Sequence, residues 1–150
     1  LGNEQKTREL VAAAESKSVE RAVRVWLNGF PDKPLSKIEY EWIGEDGGLS
    51  LAQIQAPYKL RKYICGGYLA QFQFKIVYAT TAQNADERME ADEILNKYAA
   101  WAVENQNSLL LPDGLRVRNV TRDTGAAFFD RLNGDLEIHQ VLLTLTYEVI

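Results

Sequence analysis

The chain has 150 residues, of which 46% are hydrophobic and 25% charged, and its formal net charge is −4. These values suit one globular domain that buries a core without a metal or disulfide staple, and they exclude wholesale disorder. A mildly acidic balance gives no general basic field for duplex DNA, so specific nucleic-acid binding is not expected.

The opening Leu1-Gly2-Asn3-Glu4-Gln5-Lys6 lacks the apolar core of a signal peptide, and no apolar run approaches a membrane span. Folding in a reducing cytoplasm, away from any membrane, is the expectation. Leu10 to Ala14 is compatible with helix. Val19, Ala22, Val23, Trp26 and Leu27 then follow helical spacing, with Glu20, Arg21 and Arg24 off the stripe. Ser16 and Ser18 leave open whether this is one helix or two. Asn28-Gly29, followed by Pro31, stops it, because glycine tolerates the left-handed exit and proline cannot continue the helix.

Ile38, Tyr40 and Trp42 alternate with Lys37, Glu39 and Glu41, and the turn formers Gly44 to Gly48 lead into Leu49–Gln55. The pattern predicts a hairpin ended by Pro57. A loop is expected from Tyr58 to Cys65. From about Gly67 to Thr80, Tyr68, Ala70, Phe72, Phe74, Ile76 and Tyr78 take every second position, and Gln71, Gln73 and Lys75 fill gaps between them. That is a long strand with one core face and one polar face.

Asn84 is placed to cap a second helix, with Asp86 and Glu87 in its first turn. Ala91, Ile94, Leu95, Tyr98 and Trp101 or Ala102 form its buried stripe, and it fades near Asn105-Gln106-Asn107. Pro112-Asp113-Gly114 is a turn before a strand from Leu115 to Val120. Thr121 to Gly134 is turn-rich and ends in the hairpin signal Asn133-Gly134. The last strand, Asp135 to Val149, changes apolar phase: Leu136 and Ile138 share one parity, and Leu143, Leu145, Tyr147 and Val149 the other. A bulge near Gln140, or burial of both faces, accounts for the change. The order of elements predicts an α+β domain: a single mainly antiparallel β-sheet with two α-helices packed on one face.

No catalytic, cofactor or metal site stands out. Cys65 and His139 are the only cysteine and histidine, and neither has an orienting partner in sequence, so a buried small thiol and a strand histidine are expected. Glu39 and Glu41 read as a solvated strand face. Asp86, Glu87, Glu90, Asp92 and Glu93 read as capping and solvation of a helix start. The pairs Gly47-Gly48 and Gly66-Gly67 lack the Lys-Ser/Thr partner of a phosphate loop. Trp26, Trp42 and Trp101 fit packing positions. Arg116, Arg118, Arg122 and Arg131, joined by Arg61 and Lys62, are either a docking surface for an acidic partner or an ordinary mixed-charge surface. Phe128-Phe129, flanked by Asp130 and Arg131, either completes the core or anchors a contact to another subunit.

The segment Val19-Glu20-Arg21-Ala22-Val23-Arg24-Val25-Trp26-Leu27-Asn28 resembles the opening helix of a family of tailed-phage minor capsid proteins, the tail terminators of long-tailed phages and related prophage elements. The similarity continues through Ile38-Glu39-Tyr40-Glu41 and Leu49-Ser50-Leu51-Ala52-Gln53-Ile54. It is best at Lys62-Tyr63-Ile64-Cys65-Gly66-Gly67-Tyr68-Leu69-Ala70-Gln71-Phe72-Gln73-Phe74 and runs on through Arg88 and Trp101 to about Asn105. The C-terminal third is similar only in its strand-rich character.

The resemblance implies a structural virion protein without enzymatic activity, assembled in the bacterial cytoplasm. Its subunits form a ring, typically hexameric, that caps the tail tube, ends its polymerisation and offers a joining surface to the neck or connector protein. Such a ring needs a heterologous interface that closes, and exposed strand edges suit it. The candidate interface residues are Arg61, Lys62 and Tyr63 in the first loop and Arg122, Phe128, Phe129 and Arg131 in the second. The rival expectations are another neck or head-completion ring protein of the same particle, and a cytosolic small-ligand-binding α+β module.

Overall fold

The computed structural model describes residues 15, 17–34, 38–40, 47–54, 59–82, 84–131 and 136–150. Helix α1 is helical at 15 and from 17 to 27. The strands are β1 (Glu39–Tyr40), β2 (Gly48–Gln53), β3 (Lys59–Lys62), β4 (Tyr68–Thr81), β5 (Leu115–Arg122), β6 (Ala127–Arg131) and β7 (Leu136–Val149). Helix α2 (Ala85–Glu104) follows β4, and a short 3-10 turn (Gln106–Ser108) follows α2. All seven strands belong to one sheet, antiparallel except for the short β1–β2 pair, and the fold is α+β as its sequence predicts.

Its centre is the β4–β7 pair, in register from Tyr68 opposite Val149 to Thr81 opposite Leu136. β2 and β3 share the outer edge of β4, and β5 and β6 share that of β7. On one face, Phe72, Phe74 and Ile76 lie opposite Leu145, Leu143 and Val141, all buried with Leu49 and Leu51 of β2. Both helices cover this face. α2 buries Ala91, Leu95, Tyr98, Ala99 and Ala102, and α1 buries Val19, Val23, Trp26 and Leu27. Their meeting line is aromatic: Phe30 lies 4.4 Å from the Tyr98 ring and Trp26 5.6 Å from Trp101. The polar tips of Tyr98 and Trp26 have partners, as burial requires. Tyr98 Oη donates to the Leu27 carbonyl, and Trp26 Nε1 donates to the Asn105 carbonyl at 3.2 Å and Ser108 Oγ at 3.1 Å.

The predicted cap of α2 is present, and α1 ends at Asn28-Gly29 as expected, but Gly29 does not take the left-handed conformation foreseen for it. Asn84 Oδ1 accepts the Glu87 amide at 2.9 Å, and Asn28 at the end of α1 accepts the Ile38 amide at 2.8 Å. Ser18 is helical, so it does not break α1, whereas Ser16 and Leu10 to Ala14 lie outside the described residues.

Several expectations are corrected. Glu39 and Tyr40 pair in parallel with Ser50 and Leu51, so β1 and β2 are not a hairpin; Trp42 and Gly44 lie outside the described residues. The expected loop from Tyr58 to Cys65 contains β3, and the turn-rich segment from Thr121 to Gly134 contains β6; both strands extend the sheet on edges the long strands leave open. Asn133-Gly134 is also outside the described residues. β7 pairs with β4 without a bulge. The irregularities fall instead in its neighbours, between Val117 and Asn119 of β5 and between Phe128 and Asp130 of β6. The apolar phase of β7 changes because Glu137 and His139 occupy helix-facing positions, while Leu136 is buried on the other face.

Gly67 shows why the β3–β4 turn needs glycine. Its φ is +79°, and an added Cβ would stand 2.2 Å from the Val149 carbonyl oxygen. For the core, Phe74→Ala is expected to lower stability by about 3–5 kcal/mol. Asn84→Ala, which removes one cap bond, should lower it by about 1 kcal/mol. Urea unfolding followed by tryptophan fluorescence measures both.

Candidate functional site

Apart from Arg122, the candidate residues fall into two groups at opposite ends of the sheet. β3 pairs with β4 at Tyr68–Ala70, which faces the last residues of β7. β6 pairs with the first residues of β7, Glu137–Gln140. From Glu137 to Glu148 the strand spans roughly 37 Å at its usual rise per residue. Arg61, Lys62 and Tyr63 therefore sit far from Phe128, Phe129 and Arg131. Arg122 is exposed at the end of β5, where it lies opposite Leu143.

At the first end, Glu148 gathers three partners on the face away from the helices. Arg116, directly opposite it in the sheet, donates to Oε2; Arg118 Nη1 lies 3.1 Å from Oε1; and Tyr63 Oη donates to Oε1 at 3.1 Å. The Glu148 side chain is only 9% exposed, whereas those of Arg116 and Arg118 are 62% and 57% exposed. The Arg116 hydrogen bond holds the carboxyl below its usual range; burial opposes this, and Tyr63 and the two guanidinium charges reinforce it. Arg61 stacks 5.6 Å from the Tyr63 ring centroid, and Lys59 Nζ lies 4.4 Å from that of Tyr68. All four residues of β3 are exposed.

At the second end, Glu137 is buried beneath α2. Arg88 of α2 donates to both of its oxygens at 2.9 and 3.1 Å, and Arg131 of β6 donates to Oε1 at 2.9 Å. Burial pushes this carboxyl up, but hydrogen bonds from Arg131 and Arg88 outweigh it and leave the group below its ordinary value. His139 is fully buried beside it, with Nδ1 2.8 Å from Asp92 Oδ1 and Nε2 3.5 Å from Glu137 Oε2. The Phe128 ring meets that of His139 edge-on at 5.8 Å, while Phe129 lies 5.3 Å below Lys75 Nζ. Both phenylalanines remain about half exposed, at 50% and 57%. Neither completes the core. Arg131 pairs with Glu137, which it shares with Arg88, and its side chain remains 55% exposed.

This arrangement fixes α2 to β7 and offers surfaces. Cys65 lies in the exposed turn at one end of β4, and His139 pairs with Tyr78 near the other end, so the two are not neighbours. The expectation of a buried thiol is corrected, because the turn lifts Cys65 clear of the sheet. Among the described residues no three His, Cys, Asp or Glu side chains gather in a metal-binding arrangement. No described helix is long and apolar enough to cross a membrane. An open cleft of about 350 Å³ lies between β4 and α2, lined by Tyr78, Thr80, Thr81, Glu87, Glu90, Ala91 and Ile94.

Glu137, Glu148 and Arg88 do not figure among the sequence candidates for a functional site, and Asp92, read there with the acidic helix start as capping and solvation, instead pairs with buried His139. Their signal was the polar interruption of an otherwise apolar parity at Glu137 and His139, which marks positions where a buried strand face meets helix charges.

No family model matches the sequence, and no curated protein is significantly similar to it. Among solved structures the chain is similar to one whose name states no function, at 17% identity and a TM-score of 0.45 over 95% of each chain.

The acid carboxylates have a pH signature. Their folded-state pKa values lie below the ordinary 4.5, so their contribution to stability is fully present above that value and is lost as pH falls through the folded-state values. Glu137→Gln is expected to destabilise the chain at neutral pH and to lose its disadvantage in the acid range below pH ~4. Thermal melts of both proteins across that range measure the difference; a gap that does not narrow on acidification would refute the assignment.

Proposed function

We propose that the chain is a structural subunit of a phage tail: it forms a ring on the finished tail tube, ends tube polymerisation and offers the joining surface to the neck or connector. The observation that carries this reading is the half-exposed pair Phe128-Phe129 on edge strand β6, together with the fully exposed strand β3 at the sheet's other end. Exposed aromatics on a rigid strand are suited to anchoring another protein surface. The resemblance of Val19–Asn105 to tail terminators supports the same reading. In it the protein acts by interface geometry, needs no cofactor, and resides in the virion at the tail end nearest the head.

Phe128→Ala/Phe129→Ala tests it, because neither ring belongs to the core cluster. Tails assembled with this variant are expected to be abnormally long and poorly joined to heads in electron micrographs, while the purified protein keeps its circular dichroism spectrum. Tails of normal length, fully joined, would count against the reading. Labelling the wild-type protein in particles separates the nearest alternatives: label at the tail end supports a terminator, and label at the portal assigns it to the neck or head-completion proteins instead.

A further inference from the structure

The two ends of the sheet carry opposite charge. At the β3 end, Lys59, Arg61 and Lys62 are exposed, and Arg116 and Arg118 stand three strands away across the sheet, roughly 14 Å at ordinary strand spacing. Among the described residues at that end, Glu148 pairs with Arg116 and Arg118 and is nearly buried, Glu15 accepts hydrogen bonds from Tyr68 and Tyr147, and Asp113 is exposed in the turn before β5, so the cations named outnumber these acids. Ile64 projects from the adjoining turn with its side chain fully exposed. At the other end, Asp86, Glu90 and Glu93 of α2 are exposed beside the cleft floored by Tyr78, Thr80 and Ala91. Of the cations near that end, Arg88 and Arg131 share the one carboxylate of Glu137, and Lys97 is exposed one turn beyond Glu93.

β4 connects these ends. The rise from Tyr68 to Thr80 is roughly 40 Å, several Debye lengths at physiological salt, so neither patch neutralises the other within one chain. A second copy brings its opposite end within reach. Like ends repel, so a contact of either patch with itself is disfavoured, and the charge pattern selects a heterologous contact.

We propose that the basic end of one copy, with Arg61, Lys62 and Ile64 at its tip, docks on the acidic α2–β4 cleft of the next copy, joining copies head to tail. The inference rests on the reading of this chain as a ring subunit and names the contact that would build the ring. Ile64 supplies an apolar tip for the Ala91 and Ile94 wall of the cleft, and Glu90 and Glu93 face the flanking cations.

Two charge-reversed chains test it: Arg61→Glu/Lys62→Glu and Glu90→Lys/Glu93→Lys. The substituted side chains are exposed, and circular dichroism checks the fold of each variant. Sedimentation velocity of the purified wild type at low salt is expected to show species larger than a dimer, dispersed in about 0.5 M salt. Each variant alone should self-associate about tenfold more weakly or less, and an equimolar mixture should recover assemblies containing both. Variants that assemble like the wild type would overturn the contact while leaving the ring reading intact. So would a wild type that stops at a closed pair, or one that stays monomeric in solution yet occupies tail ends in particles. Absence from tail ends, with head-to-tail assembly still lost on charge reversal, would instead overturn the ring reading and leave the contact standing.

Discussion

Fourteen consecutive residue pairs join β4 to β7, and the other elements take their places from that register. Because side chains alternate across a strand, the pairing sets Phe72, Phe74 and Ile76 opposite Leu145, Leu143 and Val141 on the face that receives both helices. A slip of one residue would turn that apolar row outward, so the hydrophobic effect opposes any other register. Both long strands are also paired on both sides, which leaves the open edges to short strands. The shortness of β3 and β6, with the bulges in β5 and β6, limits uncontrolled edge pairing. In the proposed assembly, recognition falls to the side chains that these short strands display.

The same register places acids at both ends of β7 and gives them different tasks. Glu137 and His139 face the helices, where Arg88 and Asp92 meet them one turn apart on α2. A carboxylate and an imidazole buried without these partners would be costly, so the pairs specify how α2 is seated along the sheet. Glu148 faces the other way. It holds Arg116 and Arg118 by one end and leaves both guanidinium groups largely open to solvent. One acid is thus part of the packing between layers, and the other orients surface charge.

Elements with a strong local period were legible in the residues. The alternation of β4, the Asn84 cap and the stripe of α2 each follow from side-chain spacing that no tertiary contact has to override. β3 and β6 were not legible. Lys59–Lys62 has no apolar face and Phe128-Phe129 no alternation, so both become strands only because β4 and β7 offer them free edges. The parallel pairing of β1 with β2 is likewise a tertiary outcome, since the turn formers at Gly44 to Gly48 favoured a hairpin reading. For the candidate interface residues, exposure and pairing follow from the tertiary structure. Phe128 and Phe129 are half exposed, and Arg131 pairs with Glu137, its partner across the β6–β7 ladder, a contact set by a register that residue types alone do not reveal.

The length of the central strands bears on how such a subunit can recognise its own kind. A small domain with charge spread evenly has little orientational preference, and its encounters are governed by apolar patches alone. Here the opposite charges stand at the ends of a stiff sheet roughly 40 Å apart, giving the subunit a direction. Encounters between copies are then biased toward one relative orientation before short-range packing begins, which raises the rate of correct association and suppresses wrong pairings. Directional contact alone yields either an open filament or a closed ring, depending on the rotation between successive copies. The short edge strands matter at this step. A long bare edge would favour continuous sheet growth, whereas in the proposed assembly the exposed side chains of β3 and β6 leave the rotation to the surface on which copies would gather.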